Sequence, residues 1–137
     1  MSQLVLISHG TFSEHLKQST EMIMGPQSNI HSVCLLPAEG PKEFQEKLES
    51  VLHNLDDFTI FCDLAGGTPC NVATQLLMTG WSFELYSGMN MPMIISYING
   101  EMIGSKGDIV EESKAGISLI NDRLAAMTDD EDEDEDE

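Results

Sequence analysis

Two short segments carry residue types able to do chemistry together. The first, Ser8-His9-Gly10-Thr11, follows the apolar run Leu4 to Ile7; the second, Asp63-Leu64-Ala65-Gly66-Gly67-Thr68-Pro69, follows the apolar run Phe58 to Cys62. A histidine beside a carboxylate is a recurrent working pair, because the carboxylate accepts one ring N–H and leaves the other nitrogen as a lone-pair nucleophile. Gly66, Gly67 and Thr68 stand just before Pro69, a favoured first-turn residue of a helix. Backbone N–H groups at such a start point outward and form an anion site by geometry and dipole, which suits a phosphoryl group. Each feature alone has a plainer reading: a single histidine can cap a turn, and a glycine pair can serve a positive φ. Together they favour phosphoryl chemistry.

Other chemistries are thinned by what the chain lacks. It contains no GxxxxGK[ST] segment for a P-loop nucleotidase and no GxSxG elbow for an α/β-hydrolase. His9 and His15 are six residues apart, off a common helical face, and no Cys/His set has zinc-ligand spacing. His15 reads as a helix-surface residue, and His31 and His53 as strand and helix positions without partners nearby. A receiver-type domain needs acidic metal ligands after its first strand, where this chain has His9. Neither a metal nor a cofactor is expected.

The elements that must position these residues alternate along the chain. Strand-like runs cover residues 3–8, 29–35, 58–62 and 82–87, separated by amphipathic helical patterns. Thr11-x-x-Glu14 is a capping-box sequence that opens a helix to about Met24, closed by Gly25-Pro26. Gly40-Pro41 opens a second helix, and Thr68-Pro69 a third that Gly80 closes. Such βαβ alternation predicts an α/β sandwich of three layers with a mostly parallel central sheet. In the common 2-1-3-4 strand order, the loops after strands one and three meet, so His9 and Asp63 converge at the carboxyl edge. The loop Ser87-Gly88-Met89-Asn90 follows the fourth strand at the same edge. Residues 88–98 read as a loop plus a short helix, and 107–114 as another short helix. The β-prone segment 115–122 reads as a last, antiparallel strand that pairs with its own sheet or with a second subunit's edge.

Composition bounds the partners. The 137 residues fit one domain, expected over 1–126, and a hydrophobic share of 41% suffices for one core. The formal net charge is -18, but the final nine residues, DDEDEDEDE, supply half of it. Residues 127–137 therefore read as a disordered acidic tail on a moderately acidic body. An acidic chain repels phosphate backbones, which argues against nucleic acid as a partner. Cys34, Cys62 and Cys70 are odd in number and include no CxxC pair, which fits reduced thiols. With no signal peptide and no apolar run approaching a membrane span, the expected setting is cytoplasmic.

LVLISHGTF, FCDLAGGTPCNVA and SGMNMPM stand here in one order and spacing. In that combination the chain resembles the IIA component of the mannose-type (mannose/fructose/sorbose) bacterial sugar phosphotransferase system, over roughly residues 3 to 125. The resemblance implies that His9 takes a phosphoryl group from phospho-HPr and passes it to an EIIB partner. It implies that Asp63 orients His9 through Nδ1, leaving Nε2 as the site of phosphorylation. Thr68 matches a hydroxyl beside the phosphoryl site that is serine in many relatives. Gly10, Gly66 and Gly67 supply approach room and amides, and Gly88, Met89 and Asn90 match the loop closing the other side. The resemblance further implies a homodimer with the last strand, residues 116–121, exchanged between subunits, and an indirect link to membrane EIIC and EIID components. Ala65 departs from the tryptophan of some relatives, which bears on the pocket wall or the EIIB contact. The acidic tail replaces the linker and EIIB domain of fused relatives, so EIIB is expected as a separate chain.

Overall fold

The structure, a computed structural model, describes residues 2–135, with side chains described through 129. Its elements follow in the order β1 (Gln3–His9), α1 (Phe12–Met24), β2 (Ile30–Leu35), α2 (Pro41–Leu52), β3 (Phe58–Cys62), α3 (Thr68–Met78), β4 (Glu84–Tyr86), α4 (Met91–Ile103), α5 (Ile109–Ala115) and α6 (Ile120–Glu135). The four strands form one parallel sheet in the order β2-β1-β3-β4, as the alternating pattern predicts.

The central strand β1 is apolar at every position from Leu4 to Ile7 because both of its faces are covered. Val5 and Ile7 point to one side, where Phe44, Leu48 and Leu52 of α2 and Val72, Ala73 and Leu76 of α3 complete a core with Ile60 and Cys62. Leu4 and Leu6 point to the other, against Phe61 and against Met93, Ile94, Tyr97 and Ile98 of α4, with Ile109 of α5 and Leu16 of α1 alongside. α1 therefore leaves β1 toward one face, while α3 leaves β3 toward the opposite face. Their diverging starts open a crevice at the carboxyl edge between these two neighbouring strands.

Two sequence expectations change. Residues 91–103 form one helix of 13 residues, longer than the short helix expected. Asn90 caps it by accepting the Met93 N–H at 2.9 Å, Pro92 lies in its first turn, and Gly104 ends it in the left-handed region at φ 69°. The expected last strand does not form within the chain. Residues 116–121 instead run from the end of α5 through a loop into α6, and the sheet contains no antiparallel strand among the described residues. The edge strand β4 is three residues long, which leaves little ladder to reward strand pairing inside one chain. The acidic tail expected at 127–137 lies partly outside the described residues; the portion up to Glu135 belongs to α6. No helix among the described residues is long and apolar enough to cross a membrane.

Candidate functional site

His9 is the last residue of β1, and Asp63 is the first residue after β3. The in-register pairing of these strands places them side by side. Asp63 Oδ2 accepts two bonds from His9, one from the backbone N–H at 2.9 Å and one from ring Nδ1 at 2.8 Å. Asp63 Oδ1 accepts the Leu64 N–H at 2.9 Å. Because a carboxylate only accepts, the Nδ1 contact assigns the proton to Nδ1, and in the neutral ring the lone pair falls on Nε2. The His9 side chain is 48% exposed and that of Asp63 16%, so the ring presents itself to a partner while its anchor is sheltered.

Nε2 faces the start of α3. A Cβ built on Gly67 would come within 2.5 Å of His9 Cε1 and 3.1 Å of Nε2. Gly67 itself has φ -84°, which any residue adopts, so glycine is needed there for room rather than for backbone freedom. Gly66 is different: its φ of +86° makes the turn, and its carbonyl is held by Asn71 Nδ2 at 3.2 Å. Gly67, which abuts the ring, is the N-cap of α3, Thr68 follows as its first residue, and because Pro69 has no N–H the first-turn donors of the helix are Thr68 and Cys70. The Thr68 hydroxyl is half-buried and has no hydrogen-bond partner among the described residues.

The remaining expected residues have more structural duties. Gly10 turns the chain at φ +55°, and its N–H is committed to the Leu35 carbonyl at 2.7 Å, so it is not a free anion donor. Gly88 turns at φ +75°, and the next residue ties the loop to β3 by donating its N–H to the Cys62 carbonyl at 3.1 Å. The Met89 side chain is buried in the core against α4 rather than in the crevice. Asn90 spends its amide on the α4 cap and on the Ser113 carbonyl at 3.4 Å. His9, Asp63 and Gly67 thus meet directly, and the loop after β4 braces the neighbouring strand end.

The sequence pattern missed Ser8. The capping box at Thr11 and Glu14 does not form: Thr11 makes no side-chain cap bond, its backbone at φ -86°, ψ 10° lying outside the extended region an N-cap needs. The fully buried Ser8 hydroxyl takes over, accepting the Ser13 N–H at 2.8 Å and donating to the Gly10 carbonyl at 3.2 Å. A serine at the end of an apolar strand was the only signal available. The other histidines do have neighbours: His15 Nδ1 lies 3.1 Å from the Thr11 carbonyl, His31 Nε2 2.8 Å from Gln3 Oε1, and His53 packs 5.1 Å from the Trp81 ring. Among the described residues no group of three or more His, Cys, Asp or Glu is placed to hold a metal ion.

A family model described as the fructose IIA component of the phosphotransferase system, of EIIA-man type, matches residues 3–114. The chain belongs to this EIIA family. The fructose-specific EIIA component of Bacillus subtilis is 28% identical to it over 102 residues, covering 72% of this chain and 70% of the relative. The mannose-specific EIIAB component of Escherichia coli K12 is 30% identical over 95 residues, 67% of this chain but only 29% of that protein's length. The mannose/sorbose-specific IIA subunit from Enterococcus faecalis has the same fold, with a TM-score of 0.75 and 27% identity over 86% of this chain and 93% of that one. Membership in the EIIA family supports a phosphocarrier role within a sugar phosphotransferase system.

Proposed function

We propose that this EIIA chain carries a phosphoryl group on His9 Nε2, accepting it from phospho-HPr and passing it to an EIIB partner chain. The observation that supports this most is the Asp63 clamp. It holds ring Nδ1 and the backbone N–H on one oxygen and turns Nε2 toward the amino end of α3. In the reaction, the Nε2 lone pair forms a bond to phosphorus as the phosphorus bond to the donor imidazole breaks in line. Asp63 stabilises the positive charge that develops on the His9 ring, and the amides at the start of α3 offset the phosphoryl oxygens. Donor and acceptor are both imidazoles, so the exchange is nearly balanced and runs onward to EIIB. The protein needs only to position and to stabilise charge, which this set does without a metal or cofactor.

Access favours a protein partner over water as the phosphoryl acceptor. Phe12, at the start of α1, and Leu64, after Asp63, are 49% and 60% exposed beside the half-exposed ring. Such an apolar rim suits transient docking of HPr or EIIB. A cytoplasmic protein that reaches membrane EIIC and EIID only through EIIB completes the reading. A homodimer is part of it. Ile117, Leu119, Ile120, Leu124 and Met127 form an exposed apolar row that a second chain would cover, and in that dimer residues 116–121 would leave their present geometry to pair as an exchanged strand.

Incubation with enzyme I, HPr and phosphoenolpyruvate is expected to give an acid-labile, alkali-stable phosphoamidate on the wild-type chain. His9→Ala is expected to take no label, and labelling of that variant would remove His9 from the role. Transfer of the label to a mannose-type EIIB tests the onward step. Steady release of free phosphate without an acceptor would instead mark a hydrolase.

A further inference from the structure

We propose that Ser8 is a positioning residue for His9, its hydroxyl setting the direction of the imidazole by tying the His9 turn to the first turn of α1. The hydroxyl is fully buried and has one donor and one acceptor duty, both met. It donates to the Gly10 carbonyl at 3.2 Å and accepts the Ser13 N–H at 2.8 Å. His9 lies between these two tied points. On one side the turn is fixed to β2, where the Gly10 N–H donates to the Leu35 carbonyl at 2.7 Å. On the other it is fixed to β3, where Asp63 Oδ2 takes the His9 N–H and Nδ1. Ser8 supplies the third tie, to the helix.

That third tie has no substitute. Thr11 is the residue that would ordinarily cap α1, and its backbone conformation keeps its side chain out of the bond. Ser13 is also fully buried, and its own hydroxyl lies 3.4 Å from Cys34 Sγ. Without the Ser8 oxygen, the Ser13 N–H loses its partner in a fully buried place, and the half-buried Gly10 carbonyl loses its tie to the strand. A buried polar group left unpaired drives the local backbone to rearrange until it finds one. The backbone that has to move contains His9. The clamp on Asp63 admits a narrow geometry, because one carboxylate oxygen serves both the backbone and the ring. A shift of the turn therefore releases Nδ1 and frees the ring to turn or to change tautomer.

The test uses the full chain with Ser8→Ala, Ser8→Cys and Ser8→Thr. The first readout, long-range proton–nitrogen NMR of the His9 ring, needs no phosphoryl donor and is independent of the carrier reading. Wild type is expected to show the tautomer protonated on Nδ1. Ser8→Ala is expected to show a mixture of tautomers. The second readout rests on the carrier reading: transfer from phospho-HPr is expected to fall about tenfold in kcat for Ser8→Ala, with KM for phospho-HPr little changed. Ser8→Thr, which keeps the hydroxyl, is expected to restore the wild-type tautomer. Ser8→Cys fills the same volume with a weak hydrogen-bonding group and is expected to shift both readouts in the direction of Ser8→Ala, which keeps the test open should the alanine variant not fold. A wild-type ring spectrum in Ser8→Ala or Ser8→Cys would overturn the proposal. If the wild-type chain takes no phosphoryl group, the carrier reading fails while the ring spectra still decide the role of Ser8.

Discussion

Asp63 serves His9 twice through a single oxygen, and that economy makes the pair sensitive to small changes. Asp63→Asn keeps the shape but can present an N–H where two donors need an acceptor. It is expected to slow phosphoryl transfer by about 10²-fold, measured in single-turnover mixing with phospho-HPr, while the thermal midpoint moves little. An unchanged rate would remove the orienting role. Gly67→Ala is permitted by its backbone, with φ at -84°, yet its new Cβ would press on Cε1 and Nε2 of His9. Transfer is expected to drop by at least about 10²-fold with circular dichroism unchanged. His9, Asp63 and the glycine pair were legible in the sequence, because each sits just beyond an apolar run and strand ends collect at one edge of a parallel sheet. Ser8 was not, since its role depends on the backbone angles of Thr11, which no residue spacing reveals. Met89 is expected at the pocket from its loop position, but the residue after a turning glycine faces either the crevice or the core, and here its side chain fills the core against α4.

At the scale of elements, the β1–β3 pair carries the site, and the buried end of β3 gives it a pH signature. Burial, and second a hydrogen bond with the Cys70 thiol, push the Cys62 thiol up to about 12 from its ordinary 9.0. The folded state therefore keeps a proton that the unfolded chain loses above pH 9.0. The stabilisation is fully present below that value and is lost as the pH rises toward 12. The urea midpoint is expected to fall between about pH 8 and about pH 10 more steeply for wild type than for Cys62→Ala; parallel profiles would contradict this. The parallel sheet is readable because strand-like and helical runs alternate in βαβ fashion, and the all-apolar Leu4 to Ile7 marks β1 as covered on both faces. The C-terminal segment forms no strand within the single chain although residues 117–120, Ile-Ser-Leu-Ile, are β-prone by type, because propensity does not say whether an edge is available. Within one chain the neighbouring edge is short, and the following residues Asn121 to Met127 continue as α6.

For the whole molecule, charge and exposed apolar surface divide the labour of association. Half the net charge of -18 lies in the last nine residues, none of which belongs to the His9–Asp63–Gly67 set, so removal of residues 129–137 is expected to leave phosphorylation from phospho-HPr within about twofold of wild type. A large loss in that assay would give the tail a part in docking. The apolar row Ile117, Leu119, Ile120 and Leu124 is expected to hold a dimer, seen by light scattering, that Leu119→Asp converts to monomer; a wild-type monomer at micromolar concentration would contradict it. The measurement that tests the account most directly is nitrogen–phosphorus NMR of the chain after labelling by phosphoenolpyruvate, enzyme I and HPr. The account predicts one phosphoryl group coupled to Nε2 of His9, with Nδ1 still protonated against Asp63. Phosphorus coupled to Nδ1, or carried by any residue other than His9, would contradict it.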